Sequence, residues 1–448
     1  MSNRAKNEVV TDYERQPVPQ EKRKGWLRLS MVWIGAIIAL SATALGGSLG
    51  AGMSLNHALI ASFVGCFILA TLSALCAVVG AKTGLSTTFV SMFALGRYGS
   101  YAVSIVIAIA LFGWFGVQLD LFGSSLHYIL LNVFNVDIHP KILVVIGGIL
   151  MTTTAFIGYK AIEKLSLLAV PLLGLLLIGS LWKVLSNRSW REILDAPLPG
   201  DSMSIGLAVS LIIGSLAIGA IIGPDIARYA KSTKDAVISS YVGFFVGFSV
   251  ILIISSLLAK ATAKVDIVEI MLGVGWGTGA MLVLILAQWT TNDNNLYSSA
   301  LGFSVIFKKT PKYILTITAG VIGTVMAVLG IYNSFIPFLV FLSALIPPIG
   351  GIYVGDYLIN KSKYHFDNLD KVKKINYSSI SIWVLASLMA FTTTPAPNGF
   401  GLFTLTGASG FDAFLVAFSL QLLVSKFLTQ SSKEKVVVKG ESENAILR

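Results

Sequence analysis

The sequence predicts an all-α polytopic membrane protein with twelve transmembrane helices, and three observations predict it. Of its 448 residues, 55% are hydrophobic and only 12% charged, against about 25% charged in soluble domains. Twelve apolar runs come near or exceed the roughly 20 residues that a helix needs to cross a bilayer. The 33 Lys and Arg are placed unevenly. Only Lys141, Lys183, Arg188, Arg191, Lys260 and Lys264 fall in odd-numbered loops. Cytoplasmic loops carry the excess of Lys and Arg, so an even number of spans with both termini cytoplasmic is expected. The net charge of +11 then reports topology and the lipid bilayer as partner. It implies no nucleic acid, and no obligate protein partner is implied either.

Residues 1–28 read as a polar cytoplasmic tail without the early apolar stretch of a cleaved signal peptide. The first run, 30–50, ends in Leu40-Ser41-Ala42-Thr43-Ala44-Leu45-Gly46-Gly47-Ser48-Leu49-Gly50. Its glycines predict a weak second half, or close packing through small residues. Cys66 and Cys76 both lie in the second run, 55–79, so no disulfide framework is expected. In the third run, 101–130, Trp114 and Gln118 are four apart and share a helix face. An aromatic plane beside an amide suits a flat, hydrogen-bonding ligand. The alternative is a packed Trp and a Gln bonded to a neighbouring helix. Asp120 points elsewhere and reads as a paired structural carboxylate. The fourth and fifth runs, 142–158 and 162–185, complete a first unit over 29–185.

The sixth run, 204–229, carries Gly214, Gly219, Gly223 and Pro224. Gly costs about 1 kcal/mol and Pro about 3 inside a helix, so a break is expected. It falls where the first run also weakens, if runs 1–5 and 6–10 are two repeats. Interrupted segments at equivalent places in two halves point to a midplane binding site in secondary transporters. The seventh, ninth and tenth runs (237–260, 313–331 and 335–359) fill out a second unit over 203–360. In the tenth, Pro347-Pro348-Ile349-Gly350-Gly351 predicts local unwinding. The last two runs, 377–394 and 411–428, form a peripheral pair over 376–428, and 429–448 reads as a mobile cytoplasmic tail.

The eighth run, 276–305, is the one the rest is arranged to wrap. Thr290 to Asn295 are six consecutive polar residues inside it, and they turn through more than a full helical circle. A charge at the bilayer centre costs about 3 kcal/mol on insertion scales. The segment must therefore be enclosed by other helices or line a wet cavity. A cation such as Na⁺ needs oxygen ligands, from carbonyls freed where a helix unwinds and from facing hydroxyls. Gly35 and Ile38 supply the first and Thr290 and Thr291 the second. Each Thr can instead bond the carbonyl one turn back. Asn292 and Asn295 can each donate and accept, which fits the edge of a neutral heterocycle. His57, His127, His139 and His365 are scattered without metal spacing, and no phosphate-binding loop or catalytic serine motif occurs. No enzyme and no cofactor are expected.

Four stretches together carry a likeness: Gly80-Ala81-Lys82-Thr83-Gly84-Leu85-Ser86-Thr87-Thr88, Gly113-Trp114-Phe115-Gly116-Val117-Gln118, Gly223-Pro224-Asp225-Ile226-Ala227-Arg228-Tyr229 and Trp289-Thr290-Thr291-Asn292-Asp293-Asn294-Asn295-Leu296-Tyr297-Ser298. In them the chain resembles the nucleobase:cation symporter-1 family, and within it the bacterial cytosine permeases, from about Pro17 to Tyr357. The resemblance implies a five-plus-five inverted repeat of the leucine-transporter type with discontinuous helices 1 and 6. It also implies cation-coupled uptake by alternating access in a bacterial-type inner membrane. It assigns Trp114 to stack on the substrate and Asn292 to face it. It assigns Na⁺ to carbonyls of Gly35, Ile38 and Ala287 with the hydroxyls of Thr290 and Thr291. H⁺ on a carboxylate such as Asp120 or Asp225 is the alternative ion.

The chain departs from cytosine permeases at Leu111, where they tend to carry glutamine. It departs again at Leu216 and Ile218, where they carry an aromatic and a serine, and at Ala39, where they carry an aromatic. Gln118 is instead similar to uracil, allantoin and hydantoin members. The expected substrate is therefore a nucleobase or related planar heterocycle, cytosine first. Uracil, allantoin or hydroxymethylpyrimidine is the alternative, and an amino acid on the same fold a more distant one.

Overall fold

A computed structural model of the chain describes residues 16–446 except 158, 195, 197–199, 277, 305, 306 and 308. The apolar runs become helices in order: α1 (Trp26–Ile37), α2 (Leu40–Gly52), α3 (Leu55–Thr83), α4 (Thr87–Leu95), α5 (Arg97–Phe134), α6 (Pro140–Ile157), α7 (Tyr159–Asn187), α8 (Trp190–Leu194), α9 (Ile205–Ile221), α10 (Gly223–Ala227) and α11 (Thr233–Ser240). A π-helical stretch, Tyr241–Gly247, joins α11 to α12 (Phe248–Thr262). Then follow α13 (Ile267–Gly273), α14 (Thr278–Ser304), α15 (Lys312–Val328), α16 (Phe335–Leu345), α17 (Pro347–Ile359), α18 (Tyr377–Thr393) and α19 (Ser409–Ile446). No sheet forms among the described residues.

Five stretches are long and apolar enough to cross a membrane: Leu55–Thr83, Arg97–Phe134, Thr233–Thr262, Ile331–Ile359 and Ser409–Leu428. α1 and α2 together make a sixth, bent by 68° at their junction. Helices satisfy every backbone group internally, which is what hydrocarbon demands, and the chain is a helical membrane protein.

The first break is not where the glycines are. Ile38 N–H still donates to the Ile34 carbonyl at 3.1 Å, but Ile38 and Ala39 are extended (ψ 91° and 157°). α2 restarts with the Ala42 and Thr43 N–H groups on the Ala39 carbonyl, at 3.1 and 3.3 Å. The run Gly46-Gly47-Ser48-Leu49-Gly50, expected to weaken the helix, is regular helix packed on α12. A Cβ on Gly46 would stand 2.7 Å from the Ser255 Cβ and 2.8 Å from the Leu252 carbonyl oxygen. Ser256 Oγ uses that closeness to donate to the Gly46 carbonyl at 2.8 Å.

The sixth run does break. α9 kinks at Leu216 (φ −122°, ψ 17°) and ends at Ile222, and Pro224 stands in the first turn of α10, where its missing N–H costs nothing. The tenth run does not unwind as expected. Only Ile346 separates α16 from α17, in helical conformation, and its N–H still reaches the Leu342 carbonyl at 3.1 Å. Gly350 and Gly351 serve packing instead: a Cβ on Gly351 would stand 2.7 Å from the Phe414 carbonyl oxygen of α19.

The helices sort into two groups. α1, α2, α3, α9, α11 and α12 pack on one another, and α5, α6, α14 and α15 form a second set. α7 lies against both α14 and α12, and α18 and α19 pack on α16 and α17. The tail segments differ from expectation. α19 continues as helix past Leu428 to Ile446, and residues 17–25 lie across helix ends. There Val18 N–H donates to the Gly84 carbonyl, Arg23 Nη1 to the Ala81 carbonyl, Lys24 N–H to the Tyr229 carbonyl and Trp26 N–H to Asp235 Oδ1. Residues 1–15 of the expected tail lie outside the described residues.

Candidate substrate and cation site

The polar turn of α14 is enclosed as its composition requires. α5, α6, α7 and α15 pack around this helix, and Gln288, Thr290, Asn292 and Asp293 are buried. The hydroxyls of Thr290 and Thr291 both donate to the Ala287 carbonyl, at 3.0 and 2.9 Å. The back-bonded alternative is therefore the one adopted. It gathers three of the expected cation ligands at one point, and each hydroxyl oxygen keeps lone pairs for a further partner.

The break of the first helix packs on the same apolar cluster as Ala287. Ile38 packs against the apolar cluster that holds Leu40, Leu284 and Ala287. Among the described residues no N–H donates to the carbonyl of Ile38, and the Ala39 N–H makes no bond back to Gly35. Extended backbone at Ile38 and Ala39 frees these oxygens without a glycine or proline at the break itself.

Trp114 is buried between α5 and α16, with Phe335 and Phe338 at 6.2 and 5.3 Å and inclined at 75° and 79°. Neither ring stacks face to face on the indole. Gly113 seats Phe338, since a Cβ there would be 2.9 Å from its ring. Leu216, at the kink of α9, and buried Ile218 belong to the same apolar cluster as Trp114. Ala39 is buried at the first break, and Asn295 is half-buried one turn beyond the threonines.

Gln118 is buried one turn along α5, and its side-chain oxygen has no partner among the described residues. Asn292 Nδ2 donates to Met151 Sδ of α6 at 3.3 Å, while its Oδ1 is unpartnered. Met151 lies in the cluster with Phe115 and Leu119, so Asn292 and Trp114 face different clusters here. Leaving a buried acceptor unmade costs about 1–3 kcal/mol, so the three orphan oxygens of Gln118, Asn292 and Asp293 ask for donors. The N–H edges of a heterocycle are donors of that kind.

Sequence reasoning missed Gln288, whose Nε2 donates to the Gln118 carbonyl at 2.6 Å and ties α14 to α5. Its signal was position, one turn before Asn292 on the same face. Trp289 was also missed as a fixing residue; its Nε1 donates to Thr154 Oγ1 at 3.0 Å. Asp120, expected as a paired structural carboxylate, accepts the Tyr332 N–H at 2.9 Å. Asp225 accepts the Thr87 N–H at 2.9 Å.

Residues 17–411 match the family described as permeases for cytosine/purines, uracil, thiamine and allantoin. A cytosine permease of Escherichia coli O157:H7 is 35% identical over 369 residues, covering 82% of this chain and 86% of that protein. The inward-facing conformation of Mhp1 is similar in structure, with a TM-score of 0.80 at 18% identity over 93% of each chain. Mhp1 closed with bromovinylhydantoin bound, described as a nucleobase-cation-symport-1 family transporter, gives 0.74 at 17% identity, over 93% of this chain and 96% of that one. At these identities the structural likeness is one of fold.

Proposed function

Because the chain belongs to the family of permeases for cytosine/purines, uracil, thiamine and allantoin, we propose that it imports a nucleobase, cytosine first, together with Na⁺. It is a membrane transporter and not an enzyme. The observation that carries the proposal is that the Ile38–Ala39 break, with its unbonded carbonyls, packs on the same apolar cluster as Ala287, whose carbonyl gathers the Thr290 and Thr291 hydroxyls. Two backbone carbonyls at the break, a third at Ala287 and two hydroxyls are the hard oxygen donors that Na⁺ prefers. Trp114 stacks on the base and Gln118 satisfies its edge, with Ala39, Leu216, Ile218 and Asn295 shaping the rest, and Asn292 turns from Met151 to reach the same base.

In this reading the bent α1–α2 pair and the kinked α9–α10 pair are the discontinuous first and sixth spans of two inverted five-helix repeats. α18 and α19 bring the number of spans to twelve. The basic loops put both termini in the cytoplasm of a bacterial-type inner membrane. One group of helices then rocks against the other to expose the site to each side in turn.

Thermal unfolding of the purified protein tests substrate and ion together. A ligand that binds only the folded state stabilises it by about 2.7 kcal/mol at a hundredfold excess over Kd. Cytosine should raise the midpoint in NaCl and not in choline chloride, and Trp114→Ala should abolish the rise. An equal rise in both salts removes Na⁺ from the proposal. A second reading follows from the apolar Leu216 and Ile218 and the unpartnered Gln118 oxygen: uracil, allantoin or hydroxymethylpyrimidine shifts the midpoint and cytosine does not. If no base shifts it in either salt, both readings fail.

A further inference from the structure

Away from the central site, a cavity of about 470 Å³ opens between the end of α17, residues 421–428 of α19 and the connection to α18. Asp356, Lys363, Lys371, Lys373 and Gln421 are among its walls. Asp356 is buried and fully engaged. Its Oδ1 accepts from Asn360 and Ser425, and its Oδ2 from Tyr364 and Lys363. Burial, with Asp356 adjacent, holds the Tyr364 hydroxyl protonated well above the usual phenol range, so it remains a donor. Lys363 pairs with Asp356, so among the charged residues that line the cavity Lys371 and Lys373 remain in excess, with Asp367 and Asp370 of the same turn outside its walls. Among the described residues Lys371 donates to a neutral acceptor, Asn368 Oδ1 at 3.3 Å.

Gln421 supplies the second observation. It is 1% exposed, and its Nε2 donates to Ser425 Oγ at 3.0 Å. Ser425 gives its one proton to Asp356, so it can only accept from Gln421, and this fixes the amide orientation. The Gln421 Oε1 is buried and without a partner, on a residue that lines the cavity. An occupant with negative charge for the lysines and a hydroxyl or N–H for this oxygen, reached by a turn of the Gln421 side chain, matches both features. The cavity sits at the ends of the apolar stretches Ile331–Ile359 and Ser409–Leu428, which is headgroup level. Phe427 and Leu428 beside it are 67% and 50% exposed, where acyl chains would run. Basic pockets between helices on the cytoplasmic side bind anionic headgroups.

We propose that this cavity binds a glycerol phosphate group, with the phosphate on Lys371 and Lys373 and a glycerol hydroxyl on Gln421, delivered by an anionic phospholipid. The test is the unfolding midpoint of the full-length protein in a neutral detergent, with dioctanoyl phosphatidylglycerol, dioctanoyl phosphatidylcholine or glycerol 3-phosphate added. Phosphatidylglycerol should raise the midpoint by several degrees and phosphatidylcholine should not. K371Q/K373Q should lose the rise and Gln421→Leu should weaken it. K231Q/K234Q, which removes the same charge elsewhere on that side, should keep it. A rise with glycerol 3-phosphate equal to that with the lipid supports the site and makes a soluble ester its source. An equal rise with phosphatidylcholine, or an undiminished rise in K371Q/K373Q, overturns the proposal.

Discussion

The two broken helices differ in a way their sequences hide. The α1–α2 junction bends by 68° at Ile38–Ala39 without a glycine or proline at the turn, and what it offers is backbone oxygen. The α9–α10 region has Gly214, Gly219, Gly223 and Pro224, yet its kink is a single residue, Leu216. What that kink offers is side chains, Leu216 and Ile218, in the apolar cluster that also holds Trp114. The first break should therefore govern the ion through its backbone, with Ala39 the one side chain there that the substrate meets. The second should govern the substrate and leave the ion untouched.

The sharpest way to break this comparison is at the glycines of α2, which lie outside the break. Gly46→Ala drives a methyl group against Ser255 and the Leu252 carbonyl, and backbone yields less readily than a flexible side chain. Overpacking of this kind costs about 1–3 kcal/mol. Loss of midpoint stability and of monodisperse protein is expected, with or without Na⁺. If Gly46→Ala folds normally but loses its Na⁺ response, the glycines belong to the ion site and the assignment of the break is wrong.

The next effect belongs to the ion. Thr290→Val and Thr291→Val keep shape and remove one hydroxyl each, including the back-bond to Ala287. Losing one oxygen ligand should raise the half-saturating Na⁺ concentration by about tenfold, of the order of 1.4 kcal/mol. The preference among bases should stay as in the parent. A changed base preference with unchanged Na⁺ dependence would transfer these residues to the substrate.

The polar turn was legible because six polar residues in a run long enough to span a bilayer have no bland explanation in hydrocarbon. The spacing of Trp114 and Gln118 put them on one helix face but left ligand contact and packing both open, and Trp114 packs edge-on against Phe335 and Phe338. The position of the first break was not legible, because propensities of about 1 kcal/mol per glycine are smaller than the packing that holds α2 on α12. A glycine that lets helices touch and a glycine that ends a helix look the same in sequence. The same ambiguity hid the regular join at Ile346 behind Pro347, Pro348, Gly350 and Gly351. Nothing local foretold the π-helical Tyr241–Gly247, where the Trp33 side chain presses on Gly243 and its ring lies 4.8 Å from Phe244. Gln288 was readable as polar, but its partner is a carbonyl on another helix, which sequence cannot supply.

A smaller change tests the second break. Leu216→Phe with Ile218→Ser restores the aromatic and the hydroxyl that cytosine permeases are expected to carry there. A stacking ring and one hydrogen bond are each worth about 1 kcal/mol. Cytosine affinity should rise by roughly tenfold or more, with the Na⁺ half-saturation unmoved. A fall in cytosine affinity would mean that the apolar pair is already fitted to a different base, and would favour the second reading.

The smallest expected effect is the most discriminating. Gly35 stands one turn before the first break, and a Cβ there meets nothing within 4 Å. Its proposed role is carried by a carbonyl that every residue has. Gly35→Ala should therefore change stability by less than about 1 kcal/mol, in the favourable direction, because Ala is the better helix former. Cytosine and Na⁺ dependence should both match the parent. Paired with Gly46→Ala, it separates two glycines eleven positions apart in one apolar run, one defined by its neighbours and the other only by its backbone. A large loss of Na⁺ dependence in Gly35→Ala would show that the α1 carbonyls need a freedom which alanine removes, and the first break would then have to be a moving part instead of a fixed set of ligands.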